Sequence, residues 1–389
     1  QQDRELLMNG KRGAIVAIEP KTGEILALIS SPTYDPNLMV GRQRAVNSTL
    51  LMHPDNLDKP MYDRALQAIY APGSPFKLIN ALVGLQEGVI TQDFTVSCYG
   101  SYRYGSRNNE IQKCHCDTYG GGIDLNKAIS VSCNSYFSTI YRRIIDKTNN
   151  ASIGMDNWSK HVKSFGLGDF LGYDLPSGKS GLIPDGKYYD DIYKYRWGPT
   201  TNISNAIGQG EILTTPIQLA NITAAIANKG FFYTPHVLKK ANDQKFNDPK
   251  YTTARQTTID SKYFTSIIEG MHEVFKTGTG RNSKIAGIDI AGKTGTAENF
   301  VIIDGVRKQL ADHSILIAFA PKDNPQIAIA VYIENGGYGS AIAAPITSLL
   351  IEKYLNKEIS KNRKWVENNM INLSLQNIYY QKNTKPFLD

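Results

Sequence analysis

Apolar residues run at strand spacing near both ends of the chain and at helical spacing between them. Residues 13–18 and 24–29 are two apolar runs joined by Glu19-Pro20-Lys21-Thr22-Gly23, which predicts a β-hairpin. Near the other end, residues 288–300, 314–320 and 326–334 predict three more strands, the last two separated by the turn cluster Pro321-Lys322-Asp323-Asn324-Pro325. A closing helix is expected over 344–354, and the stretch from about 60 to 285 is expected to be mostly helical. An antiparallel sheet made from both chain ends, with a helical lobe inserted, is an α+β design. The aromatic-rich stretch 184–200 predicts an ordered surface loop, and the polar residues after 355 predict a peripheral tail.

Four short segments carry candidate chemistry. The first is Ser74-Pro75-Phe76-Lys77, which opens an apolar helical run. Pro75 suits a first helical position, where a missing N–H costs nothing, and residues three apart share a helix face. Lys77 is therefore placed to accept the Ser74 proton, provided that burial and cationic neighbours depress its pKa. The free N–H groups of the helix start suit a developing oxyanion. The second segment, Ser132-Cys133-Asn134, points a hydroxyl and an amide the same way if the backbone there is extended or tightly turned. Ser132 could relay a proton and Asn134 could hold a substrate peptide group.

Ile207-Gly208-Gln209-Gly210 is a glycine block with a structural look, and Lys-Thr-Gly completes the set in three copies. The copy at 21–23 is the hairpin turn, and the copy at 276–278 is a glycine-rich helix exit. The third follows a strand pattern at Lys293-Thr294-Gly295-Thr296. There Gly295 allows close approach of a substrate backbone, Lys293 supplies positive charge and Thr294 and Thr296 can bind a carboxylate. The Thr296 N–H can complete an oxyanion hole with that of Ser74. Taken alone, each segment has an ordinary structural explanation, such as a helix cap or a turn. Their occurrence together and in order is what points to chemistry.

These segments resemble those of penicillin-binding proteins and serine β-lactamases. The likeness extends over roughly residues 10 to 355. It includes the opening hairpin, Ser31-Pro32-Thr33-Tyr34-Asp35-Pro36-Asn37, the block from Ile207 through Thr215-Pro216-Ile217-Gln218-Leu219-Ala220, and Ala291-Gly292-Lys293-Thr294-Gly295-Thr296-Ala297. The chain is similar to the transpeptidase domain of class B penicillin-binding proteins, of the penicillin-binding protein 2 type that serves cell elongation. The resemblance implies a five-stranded antiparallel sheet flanked by helices, with a sheet subdomain from about 10–35 and 285–355 and a helical subdomain over about 60–285. Residues 1–355 would form the domain and 356–389 the tail. It also implies a D,D-transpeptidase whose Ser74 attacks a D-Ala-D-Ala stem peptide, passes the acyl group to a second stem and is acylated by β-lactams. Glycosyltransferase and scaffold partners, a periplasmic or extracytoplasmic location and an N-terminal membrane anchor preceding this segment belong to the same expectation. A D,D-carboxypeptidase or β-lactamase and a non-catalytic β-lactam-binding sensor are the alternatives. No carboxylate motif for deacylation is evident.

Composition adds bounds. With 389 residues, 41% hydrophobic and 20% charged, the chain has a substantial core, and no run approaches the ~18 apolar residues of a membrane span. The net charge of +7 suits an anionic surface or acidic wall polymer, without the basic-aromatic stripe of a nucleic-acid binder. All four cysteines, Cys98, Cys114, Cys116 and Cys133, fall within one short segment. A structural zinc ion, with His115 as an alternative ligand, and disulfides both fit this clustering. No cofactor is required for the acyl-transfer chemistry itself.

Overall fold

The computed structural model describes residues 6–376 apart from 109, 115, 117–118, 242–243, 246 and 304. Five strands build the main sheet: β1 (Gly13–Ile18), β2 (Ile25–Ser31), β3 (Ala291–Ala297), β4 (His313–Ala320) and β5 (Ile327–Ile333). Their order is β3-β4-β5-β1-β2, and every neighbouring pair is antiparallel. The two chain ends therefore meet at β1 and β5, with Val16 opposite Ala330. This is the α+β sheet that the apolar runs predict. The run 288–300 is not a single strand. It breaks after Ala297, and Phe300–Ile303 turns away to pair with Val306–Gln309 as a separate hairpin. Glu298 and Asn299, two polar residues, occupy the break.

The helices used below are α1 (Lys77–Gln86), α2 (Leu125–Ser130), α3 (Asn134–Asp146), α4 (Pro216–Ala227), α5 (Phe264–Lys276), α6 (Ala343–Asn356) and α7 (Lys364–Asn372). Strand β5 is buried along its whole length and β4 almost so. Successive strand residues face opposite sides, so this burial requires cover on both faces. Helices α4 and α6 supply it, both packing on β4 and β5. Helix α4 is buried at all its positions and starts with a capping box, in which Thr215 Oγ1 accepts the Gln218 N–H and Gln218 Oε1 accepts the Thr215 N–H. In the helical lobe, α3 packs on α1, and α5 packs on both α2 and β3.

Further departures from the sequence reading stand out, the first being a helix over Gly186–Tyr193, with Tyr189 buried, where a surface loop was expected. The helical stretch contains short strands, Val96–Cys98 with Tyr119–Ile123 and Ser101–Arg103 with Ile111–Lys113, which carry the cysteine segment. The polar tail also folds back. Ile359 and Leu375 are buried, and the Lys11 ammonium donates to Met370 O and Leu373 O at 2.6 Å each and to Asn9 O at 3.1 Å. Among the described residues no helix is long and apolar enough to cross a membrane.

Candidate active site

Ser74 begins a 3-10 turn, Ser74–Phe76, that runs into α1 at Lys77. The turn is entered through Gly73, at φ +62°, whose N–H donates to Gly208 O at 2.8 Å. Gly208 is itself at φ +70°, and a Cβ there would lie 2.2 Å from Gly73 O. Only glycine permits this backbone contact, so the Gly208 block fixes the position of the Ser74 turn. Asn80, one turn further along α1, reinforces the arrangement by donating to Asn205 O and Ala206 O at 3.1 and 3.0 Å.

Ser132 lies between α2 and α3 at φ +59°, a tight left-handed turn rather than an extended one. This turn brings Ser132 and Asn134 to Lys77. The Lys77 Nζ donates to Ser132 O at 2.8 Å, Ser132 Oγ at 3.1 Å and Asn134 Oδ1 at 2.5 Å. The Ser132 Oγ in turn donates to Ser74 Oγ at 3.0 Å. The three-residue spacing of Ser74 and Lys77 is thus bridged by the Ser132 hydroxyl. Lys77 is fully buried. Burial brings its pKa down from 10.5 to about 8, against the opposing pull of the nearby Cys114, Cys133 and Cys116 sulfurs.

Strand β3 forms the facing wall. Lys293 is fully buried and donates to Thr294 O at 3.0 Å, and burial with repulsion from Lys77 holds its pKa well below the usual lysine range. Two neighbouring lysines in an apolar setting do not both hold a proton easily, which is one way to keep an amine basic and neutral. Ser74, Ser132, Asn134, Thr294, Gly295 and Thr296 line one cleft of about 550 Å³. The structure therefore gathers the residues singled out in all four segments into a single place. Asn134 is tied at both ends of its amide, since its Nδ2 donates to Lys113 O at 2.7 Å.

Several cleft residues escaped the sequence reading. Gln209 reaches across to Thr296 O at 3.4 Å, and Thr279 meets Thr294, hydroxyl to hydroxyl, at 2.5 Å. Glu298, Asp312, Tyr338 and Ser340 complete the wall. Gln209 sat inside a segment already singled out, and Thr279 sat one residue beyond the second Lys-Thr-Gly. The others carry no local signal.

The Sγ atoms of Cys98, Cys114, Cys116 and Cys133 all lie within 4.8 Å of one another, and no disulfide joins them. The pairs Cys114–Cys116, Cys98–Cys116 and Cys114–Cys133 are 3.0, 3.5 and 3.7 Å apart. A tetrahedral zinc thiolate site with bonds of about 2.3 Å has sulfur–sulfur edges of about 3.8 Å, so the donor set is of the right kind and size for one such ion once the Cys114–Cys116 pair spreads. Hydrogen bonding from Cys133 takes the Cys114 thiol far below the usual range, which makes it the ready thiolate of the group. His115 lies outside the described residues. The cluster abuts the cleft directly: Asn134 N–H donates to Cys114 Sγ at 3.1 Å, and Cys133 caps α3.

With this geometry in view, the relatives are informative. The family described as the penicillin binding protein transpeptidase domain matches residues 13–352. The peptidoglycan D,D-transpeptidase MrdA of Acinetobacter baumannii is 37% identical over 346 residues, covering 86% of this chain and 49% of that protein. The crystal structure of Pseudomonas aeruginosa PBP2 in complex with WCK 5153 superposes with a TM-score of 0.79 at 32% identity, covering 93% of this chain and 75% of that one. A complex between PBP2 and MreC from Helicobacter pylori gives a TM-score of 0.75 at 27% identity, covering 91% and 62% respectively. The chain spans about half the length of the curated relatives it matches. A family match over most of the chain and a relative 37% identical across it lead to one conclusion: the chain belongs to the penicillin-binding protein transpeptidase domain family.

Proposed function

We propose that this chain carries the D,D-transpeptidase activity of an elongation-type penicillin-binding protein, cross-linking peptidoglycan stem peptides through a Ser74 acyl-enzyme. The observation that supports this most is the hydrogen-bonded series Ser74 Oγ–Ser132 Oγ–Lys77 Nζ in a cleft walled by β3. As an ammonium, Lys77 donates all three protons. As a neutral amine it keeps two donors for Ser132 O and Asn134 Oδ1, and its lone pair faces Ser132 Oγ. The series then runs in reverse. Ser74 passes its proton to Ser132 as its oxygen bonds to the D-Ala carbonyl carbon, and Ser132 passes its own to Lys77.

The backbone N–H groups of Ser74 and Thr296 would receive the oxyanion, and Thr294 and Thr296 the terminal carboxylate, with the Lys293 amine, which an arriving anion would help to protonate, behind them. Collapse of the tetrahedral adduct breaks the peptide C–N bond, and the proton held by Lys77 returns through Ser132 to the departing D-alanine amine. An amine from a second stem then attacks the ester by the same steps. Asn134 holds Lys77 in place and has one amide proton left for a substrate carbonyl.

β-Lactams would acylate Ser74 and remain. The activity belongs outside the cytoplasmic membrane, where the wall is built. Partners of glycosyltransferase and MreC-like scaffold type are proposed for the longer protein from its relatives. The four cysteines we assign to a structural zinc ion, which would lock the Cys98–Cys133 segment behind Asn134 and take no part in acyl transfer. Elemental analysis showing about one zinc per chain supports the assignment, and metal-free protein with two disulfides overturns it.

Labelling with a fluorescent penicillin tests the main reading, followed by a cross-linking assay with donor and acceptor stem peptides. Persistent label on the wild type and none on Ser74→Ala, with cross-linked product, is the expected outcome. Rapid loss of label with free hydrolysed penicillin would indicate a hydrolase. Stable label without cross-linking would indicate a sensor.

A further inference from the structure

We infer that Gln209 is a positioning residue for acylation, whose side-chain amide holds the Thr296 peptide against the Ser74 turn and so sets the spacing of the two N–H groups that receive the oxyanion. This rests on the acyl-transfer reading above and adds a role within that same cleft. Strand β3 is an edge of the main sheet, paired with β4 on one side. In an antiparallel strand the N–H and C=O of one residue point to the same edge, and alternate residues point to opposite edges. Thr294 O receives Lys293 Nζ and Thr296 O receives Gln209 Nε2, so both residues turn their peptide groups away from β4. The Thr296 N–H therefore shares its edge with the carbonyl that Gln209 holds.

The Ser74 turn meets that edge on both sides of the serine. A Cβ on Gly73 would lie 2.9 Å from Thr296 O, and one on Gly295 would lie 2.5 Å from the Pro75 ring. These contacts are van der Waals in nature and do not aim the Thr296 peptide. The glycine block supplies the aim. Gly208 O accepts the Gly73 N–H at 2.8 Å, and the next side chain, Gln209, donates to Thr296 O at 3.4 Å. One dipeptide thus grips both partners of the oxyanion hole. Its own backbone is fixed, because the Gln209 N–H donates to Ser204 O at 3.0 Å and both neighbours, Gly208 and Gly210, sit at positive φ.

An oxyanion hole is effective when its donors are aimed before the charge develops, and small misplacements are costly. Without the Gln209 amide the Thr296 peptide keeps its neighbours but loses the bond that orients it. The loss then falls on substrates whose reacting atom becomes an oxyanion.

The test uses a peptidyl-D-alanine ester of m-hydroxybenzoate and its thiono counterpart, with C=S in place of C=O, and reads release of the phenol. Sulfur is a weak acceptor, so the thiono compound draws little on the hole. Wild type is compared with Gln209→Met, which keeps the length and removes the donor. The expected result is a loss of roughly tenfold or more in acylation by the ester, little change for the thiono compound and an unchanged melting midpoint. Equal slowing of both compounds, or of neither, overturns the inference. If Gln209→Met fails to fold, Gln209→Asn, which withdraws the amide by one methylene, decides: an ester-to-thiono ratio at the wild-type value overturns it. A wild type that releases phenol from neither compound removes the acyl-transfer reading itself, a failure distinct from an unchanged ratio.

Discussion

The sharpest expectation concerns the pH at which Ser74 becomes reactive. Burial takes the Lys77 pKa from 10.5 to about 8. At pH 7.5 a lysine of pKa 8 is about one quarter neutral, against about one part in a thousand for an unperturbed one, so the fold supplies roughly 200 times more base. At 1.36 kcal/mol per pH unit, the same displacement corresponds to about 3 kcal/mol of disfavoured ammonium, so folding and activation oppose each other. Folding lowers the pKa of a cationic acid, so between pH 8 and 10.5 the unfolded chain binds more protons. The penalty is complete below about pH 8 and is relieved as pH rises through that window. The assay is the second-order acylation rate with a chromogenic β-lactam from pH 6 to 9.5. We expect a rise of about tenfold per pH unit that levels near pH 8, and a fall of roughly 10²–10⁴ in Lys77→Arg, which cannot shed its proton. A flat profile, or Lys77→Arg close to wild type, would refute the assignment of Lys77 as base.

Three further outcomes follow from the same geometry. Ser132→Ala removes the hydroxyl that bridges Ser74 and Lys77, so acylation should fall by about 10² or more with little change in melting temperature, measured by labelling kinetics and thermal unfolding. Lys293→Met takes away a buried amine whose protonation burial opposes and whose hydrogen bond among the described residues goes to Thr294 O. The melting midpoint should rise while acylation by carboxylated β-lactams falls, and a lowered midpoint would contradict the burial argument. Gly208→Ala forces a Cβ to within 2.2 Å of Gly73 O at a positive φ, so denaturant unfolding should show a loss of roughly 2–4 kcal/mol together with loss of labelling.

Much of the sheet could be read from sequence because its strands are short apolar runs, either joined by a turn such as Lys21-Thr22-Gly23 or unbroken like β5. The grouping of Ser74, Lys77, Ser132 and Lys293 was legible through motif spacing rather than through any derivation of long-range contact. What escaped was tertiary in origin. Asp312 and Tyr338 reach the cleft only because β4 pairs with β3 and the segment after β5 returns over it. Thr279 depends on a helix exit meeting Ser130, a contact that no local pattern encodes. The break after Ala297 was missed because Phe300 continues the apolar character of the strand while belonging to another hairpin. The tail was missed for a related reason: Ile359 and Leu375 are isolated apolar residues in a polar stretch, and they are buried by what they meet, not by their neighbours in sequence.

The docking of that tail has a practical consequence. Lys11 sits in a socket whose three carbonyl oxygens come from Asn9, Met370 and Leu373, so the segment leading into β1 is clasped by the end of α7. Clipping the protein at the edge of the family match, near residue 352, would strip two of those oxygens and open Lys11 to solvent. Expression boundaries for crystallisation or inhibitor screening are better drawn beyond Leu375. Limited proteolysis after α6 should loosen the amino-terminal strand even though the cut lies far from it in sequence.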